Sequence, residues 1–276
     1  MRQLRGLTAL VTGASGGIGK YIAVELARAG MNVVVSGRRE DALAAAVAHL
    51  RDIGVRAETV SADLSDQTQV ESLIDRSEAA LGPIDVLVNN AGVEYVSAFA
   101  QSTPEELVST ISINLTAPML ITRHALPGMI DRGRGHIVFI ASLAGKVGPA
   151  YQGPYAASKA GLVALTQSLR AEHRAAPVGF SVVCPGFVAG DGMYQRMVEV
   201  GAVSNRLLGT TTNKKIAEKV VEAIRADMPE IVESGAPIRP ILALSQLAPR
   251  LVDGVAPRIG ATDVFRRAAA ARGRAT

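Results

Sequence analysis

Between an apolar run at residues 7–12 and an amphipathic segment at residues 18–29 lies the turn Thr12-Gly13-Ala14-Ser15-Gly16-Gly17-Ile18-Gly19. No other feature limits the fold of this chain so sharply. A strand that enters a helix through so many glycines makes a tight turn, lets the backbone approach a ligand closely, and packs the helix near the sheet. The helix N-terminus then offers unpaired N–H groups and a positive dipole end, which suits a phosphate. Set between the first strand and the first helix, the turn predicts a dinucleotide site.

The rest of the chain repeats that alternation. Strand-like runs occupy 7–12, 32–36, 56–60, 85–89, 136–141 and 180–184, and helix-like segments occupy 18–29, 40–53, 67–81, 104–131 and 154–176. Runs such as Asn32-Val33-Val34-Val35-Ser36 are apolar throughout their centre, as in strands buried on both faces. The predicted fold is α/β, a doubly wound parallel sheet (Rossmann fold) of six to seven strands with helices on both faces. The seventh is an edge strand at 230–233, after a helix over 213–227 capped by Thr212. No linker or repeat interrupts residues 1–276, so one domain is expected. Residues 186–212 hold five glycines without periodicity and read as a mobile substrate loop. Residues 236–276 read as a divergent extension with a basic tail. Ile241, Leu244, Leu247 and Leu251 share a helical face there, suited to packing on the domain or a partner, or to weak membrane-surface association.

Composition narrows the chemistry. One cysteine, Cys184, makes no internal disulfide, and four scattered histidines lack ligand spacing, so no metal is expected. The net charge of +4 equals the four arginines of the tail, Arg266, Arg267, Arg272 and Arg274. A solvated tail, not a nucleic-acid surface, is the reading. No apolar stretch reaches membrane-spanning length, and the segment before residue 7 is too short for a signal peptide, so the cytoplasm is the expected compartment.

Tyr155 and Lys159 stand four apart at the start of a helix and share one face. A free phenol is a poor acid–base group near neutrality, and a neighbouring ammonium favours its ionised form. The expectation is a lowered Tyr155 pKa with Lys159 and an oxidised cofactor both close. Ser142 follows the fifth strand, at the sheet end where open α/β proteins bind ligands, and its hydroxyl can orient a substrate oxygen.

The spacing Thr12-Gly13-x-x-x-Gly17-x-Gly19 resembles that of the short-chain dehydrogenase/reductase family in its compact single-domain form. Asn89-Asn90-Ala91-Gly92, Asn114, Ser142, Tyr155-x-x-x-Lys159 and Pro185-Gly186 match further motifs, and the likeness spans about 7–188. What the resemblance implies is an NAD(P)-dependent oxidoreductase. Tyr155 would be the general acid or base, Lys159 would also hold the nicotinamide ribose, Ser142 the substrate oxygen, and Asn114 a water in the proton relay. Gly13, Ser15, Gly17, Ile18, Gly19, Asn90, Gly92, Tyr155, Lys159, Pro185, Gly186 and Val188 would line the cofactor, with Asp63 and Leu64 on its adenine. A homodimer or homotetramer built on the long helices is implied too. Gly190 stands where many relatives carry a carboxamide-clamping Thr, and Asp253-Gly254 is followed by Val255 where they carry a second glycine.

After the second strand comes Ser36-Gly37-Arg38-Arg39, without the acid that holds a ribose 2′-hydroxyl. A guanidinium there suits a 2′-phosphate, so NADP(H) is the expected cofactor, with Arg38 the main contact and NAD(H) the alternative. Tyr95, Tyr151, Phe187 and Tyr194 follow strand ends and suggest a lipophilic ketone, aldehyde or alcohol, aided by Met193, Met197, Leu207 and Leu208. Rival readings are an NAD(H)-dependent alcohol dehydrogenase, a dinucleotide-sensing protein without turnover, and an enzyme for acyl-carrier thioesters, for which Lys146 and Arg196 are the candidate basic contacts.

Overall fold

The structure is a computed structural model and describes residues 1, 3–199, 201–202, 209–248, 250 and 261–272. Leu207, Leu208, Leu251, Asp253-Gly254-Val255 and Arg274 lie outside the described residues.

Each apolar run becomes a parallel strand. They are β1 (Thr8–Thr12), β2 (Asn32–Gly37), β3 (Ala57–Ser61), β4 (Val86–Asn89), β5 (Gly135–Ile140) and β6 (Val178–Pro185). The sheet is seven-stranded, in the order third, second, first, fourth, fifth, sixth, and finally the edge strand Glu230–Glu233. That edge strand pairs parallel to β6, with Val183 opposite Ile231. Side chains alternate between two cores, as a period of two requires. Ala9, Val11, Val33, Val35, Val86 and Val88 face α1 (Gly17–Arg28) and α2 (Glu40–Asp52). Leu10, Val34 and Leu87 face the opposite layer.

That opposite layer departs from the expected long helices. The 67–81 segment is broken at Ser72 into α3 (Gln67–Glu71) and α4 (Leu73–Leu81). Ser72 bonds its hydroxyl to Gln69 O at 3.3 Å, a local alternative to helical pairing. The 104–131 segment divides into α5 (Pro104–Ile111) and α6 (Ala117–Asp131), joined by a π-helical turn, Ser112–Thr116. Pro118 has no N–H to give the carbonyl of Asn114, so the regular ladder fails where the turn widens. α5 starts at a capping box in which Thr103 and Glu106 bond each other's backbone.

After β5 come α7 (Ala144–Val147) and α8 (Gly153–Glu172), which carries Tyr155 and Lys159. Residues 186–212, read as a loop without periodicity, contain order. They hold β7 (Val188–Ala189), α9 (Met193–Glu199) and β8 (Thr211–Thr212), with β7 and β8 paired. Thr212 caps α10 (Asn213–Ala226), accepting from Lys215 N at 3.2 Å, and α10 packs on α1. β9 (Glu230–Glu233) and α11 (Arg239–Leu247) follow. On α11, Leu242 is buried, while Ile241, Leu244 and Leu247 remain exposed.

The basic tail is not simply solvated. Residues 261–272 form α12 (Ala261–Arg272), whose Val264, Phe265 and Ala268 are buried against Met197 and Ala202. Arg272 pairs with Glu106 and lies over the Tyr95 ring, 5.4 Å from its centroid. Burial of an apolar stripe on α9 overrides the bias toward disorder that an arginine-rich sequence suggests. Arg266 and Arg267 stay exposed. Among the described residues no helix is long and apolar enough to cross a membrane.

Candidate active site

One cavity of about 1340 Å³ runs along the strand C-termini, from Arg38, Asp63 and Leu64 past Gly13, Ser15, Gly17 and Ile18 to Ser142, Tyr155 and Lys159. The β1–β4 boundary, where the strand order reverses, opens into it. Asn90, Gly92, Pro185, Gly186 and Val188 also line it, as do Tyr95, Phe187 and Tyr194. Three expected site residues stand behind its wall and not on it.

Gly19 is off the wall. A Cβ there would meet Gly13 O at 2.4 Å, so its lack of a side chain serves helix-to-strand packing. Tyr151 has φ 67 and packs in the apolar cluster beneath α12 instead of lining the cavity. Asn114 is fully buried in the π turn. Its Oδ1 accepts from Val93 N at 2.8 Å, and its Nδ2 donates to Val93 O at 2.8 Å and to Ser158 Oγ at 3.2 Å. It therefore braces the loop after β4 against α8.

Lys159 donates to Ile140 O at 2.8 Å, and its Nζ stands 5.6 Å from the Tyr155 ring centroid. The Ser142 hydroxyl accepts from Ala144 N at 3.1 Å, which fixes it at the mouth of β5. Burial pushes the Tyr155 phenol above its ordinary pKa, the Glu94 carboxylate adds to this, and a hydrogen bond with Ser142 opposes it. The lowering expected with Lys159 and an oxidised cofactor both close does not come from these side chains alone. Burial also lowers Lys159 to about 8, against the attraction of Cys184 and Glu94, so its help to the phenolate is weakened. These side chains by themselves hold a protonated phenol, which is an acid poised to give a proton.

With this geometry, the comparisons with known proteins agree. Residues 7–199 match the short chain dehydrogenase family. The chain is a short-chain dehydrogenase. It is 39% identical over 268 residues to the ketoacyl reductase HetN of Nostoc sp., covering 95% of this chain and 92% of that one. The D-beta-hydroxybutyrate dehydrogenase of Cupriavidus necator is 38% identical over 200 residues, covering 72% and 77%. Among solved structures, a short-chain dehydrogenase/reductase from Burkholderia phymatum in complex with NAD has TM-score 0.80 at 29% identity, covering 91% and 96%. A single-substitution variant of actinorhodin polyketide ketoreductase with NADPH has TM-score 0.78 at 32% identity, covering 85% and 98%. This dehydrogenase is accordingly an NAD(P)-dependent oxidoreductase that interconverts carbonyl and alcohol.

The residues fit such a cofactor. Gly13, at φ +67, leaves its Cβ position 2.8 Å from Ala91 Cα, so only glycine keeps this floor open. At the far end Asn213, 3% exposed and on the cavity wall, has a buried Oδ1 with no hydrogen-bond partner among the described residues. Its Nδ2 donates to Asp191 O at 3.1 Å and lies 3.2 Å from where a Cβ of Gly190 would stand. Asn213 thus fills space left by the small residue at 190 and keeps an acceptor for an amide N–H. At the dehydrogenase's other end, Arg39 donates to Ser15 O at 2.6 Å across Gly16, while Arg38 is exposed beside Asp63. Asp63 is held below the usual carboxylate range by the Ser65 N–H, then the Ser65 hydroxyl and Arg38.

Sequence reasoning missed Asn213, Arg39's hold on the glycine turn, Phe265 and Thr262 on the cavity wall, and Glu94 with Gln152. Glu94 meets Gln152, and Phe265 meets Phe187, across long stretches of chain. Only Glu94 left a local trace, an acid two places after Asn89-Asn90-Ala91-Gly92.

Proposed function

We propose that this dehydrogenase reduces a lipophilic ketone or aldehyde with NADPH, Tyr155 serving as the general acid. The observation that carries the reading is one cavity with Ser142, Tyr155 and Lys159 at one end and Arg38 with Arg39 at the other. When bound, the reduced nicotinamide supplies the hydride. Ser142 directs its hydroxyl at the substrate oxygen, and Tyr155 gives its proton to that oxygen as charge develops. Lys159 holds the nicotinamide ribose and passes a proton to the Tyr155 phenolate, and a water held by Asn114 replaces it from solvent. Asn213 and the Val188 backbone orient the carboxamide, Asp63 and Leu64 the adenine, and Arg38 the 2′-phosphate.

Support for a lipophilic substrate comes from Tyr95, Phe187, Met193, Tyr194, Met197 and Phe265 around the substrate end. Phe187 stacks 5.8 Å from Phe265. The names of the relatives point to ketoacyl groups and to a free hydroxy acid as substrate chemistries. Of the two candidate basic contacts for an acyl-carrier thioester, Lys146 is engaged by Glu230 at 2.7 Å, whereas Arg196 is exposed at the cavity wall. We further propose a cytoplasmic homodimer or homotetramer, supported by the exposed Val108, Met119 and Ile130 on α5 and α6.

Fluorescence titration with NADPH and NADH tests the reading. The expected result is tighter NADPH binding, weakened about ten- to a hundredfold in Arg38→Ala, the scale of a lost charged hydrogen bond. Equal binding of both cofactors overturns the NADPH assignment, and binding of neither overturns the site.

A further inference from the structure

We infer that Glu94 is a charge filter for substrate: it excludes carbonyl compounds that carry a free carboxylate near the reacting carbon, and admits neutral esters, thioesters and ketones. This rests on the carbonyl-reduction reading above and specifies its substrate class.

Glu94 shares the cavity wall with Ser142, Gln152 and Tyr155, and its charge acts on the Tyr155 phenol. Its Oε1 accepts from the Nε2 of Gln152, itself 3% exposed at the start of α8. Gln152 is a neutral partner. It fixes the carboxyl in place without cancelling its charge. The charged and titratable groups that face Glu94 are Tyr155 and Lys159 from α8 and Arg196 from α9. Lys159 spends a hydrogen bond on Ile140 O but keeps its charge, and Arg196 lines the same cavity at an exposed place where water and salt screen it. A second carboxylate brought to Tyr155 therefore enters a cavity in which the ionised Glu94 has already taken up the attraction of Arg196 and Lys159. Like charges in such a space repel strongly, and a repulsive element of this kind is how sites reject close analogues. A substrate whose acyl group ends in an ester or thioester meets no such repulsion.

The filter is also tunable. Burial raises the Glu94 carboxyl to about 7, opposed by Arg196 and Lys159, so it gains charge across neutrality. A free keto acid is ionised throughout that range. Lys159, lowered to about 8, attracts the free acid and not the ester, so the Glu94→Gln variant is what separates the carboxyl from the ammonium.

The test compares 3-oxooctanoate with its ethyl ester as substrates with NADPH, reading kcat/KM for each from pH 6 to pH 8. The expected ester-to-acid ratio is at least about tenfold at pH 8 and falls toward pH 6. In Glu94→Gln the ratio shrinks and its pH dependence weakens. A ratio unchanged in Glu94→Gln, or a wild-type preference for the acid, overturns the filter. Thermal shift of the protein–NADP⁺ complex with the same two compounds decides the matter by binding alone. Absent turnover of both compounds with selective ester binding removes the reductase reading and keeps the filter, whereas equal stabilisation by both removes the filter.

Discussion

At the Arg38 end of the cavity the walls are backbone. Gly13, Gly16 and Gly17 lie within one turn, and Arg39 crosses that turn to Ser15 O. At the Glu94 end the walls are side chains drawn from five places: Tyr95, Gln152, Phe187, Met197 and Phe265. The first end takes its shape from residues close together in sequence, whereas the second needs α9 and α12 to meet. A shared cofactor calls for a repeated backbone cradle, and a particular substrate calls for side chains that can change without disturbing that cradle. The ion pair of Arg272 with Glu106 ties the second end to α5, across 166 residues of chain.

The largest effect should come where the two ends join. Tyr155→Phe keeps the ring and removes the proton donor, so carbonyl reduction should fall about 10²- to 10⁴-fold. Steady-state assay measures the loss, and NADPH titration should still register binding. A loss below tenfold would show that another group gives the proton.

Next in size is an effect that should touch the sheet and spare the helical cover. His136 on β5 is buried, with Nε2 2.9 Å from Ser181 Oγ, and burial lowers its pKa to about 4. The folded state thus binds fewer protons than the unfolded state between about pH 6.5 and pH 4. Stability from this group is complete above about 6.5 and is lost as pH falls toward 4, amounting to roughly 3 kcal/mol. Urea unfolding at pH 7, 5.5 and 4 measures the slope, and His136→Gln should flatten it. An unaltered slope in that variant would assign the acid sensitivity to other groups.

The smallest effect belongs to the cover alone. Phe265→Ala removes a ring that packs on Phe187, and the KM of a lipophilic carbonyl should rise about tenfold. NADPH affinity should hold, because Phe265 stands at the substrate end. Equal loss of cofactor affinity would mean that the two ends are one mechanical unit.

The same contrast explains what can be read from the chain in advance. The sheet order follows from the alternation of apolar runs and helices, and the Tyr155–Lys159 pair from four-residue spacing. Glycines 13 and 17 announce the cradle because backbone needs are local. Gly19 groups with them by spacing, yet its role is packing, which only the 2.4 Å approach to Gly13 O reveals. The direction of the Tyr155 shift is out of reach of the sequence, since it depends on burial and on Glu94, far away along the chain. Tyr151 looks like its neighbours in the strand-end loops, but a left-handed backbone turns it under α12. The docking of α12 itself is hidden by its arginines, which advertise solvent while Val264 and Phe265 do the packing.

The π-helical turn at Ser112–Thr116 gives Asn114 its inward aim. Such a turn spends one residue more than an α-helix on the same advance, and each residue of an α-helix adds about 100° of rotation. The register of α5 and that of α6 are therefore out of step by one count. Removing a single residue there would restore an unbroken spiral and swing position 114 away from Val93 and Ser158. The order of the reacting groups thus depends on a deliberate miscount in the chain, a frame error that the fold requires.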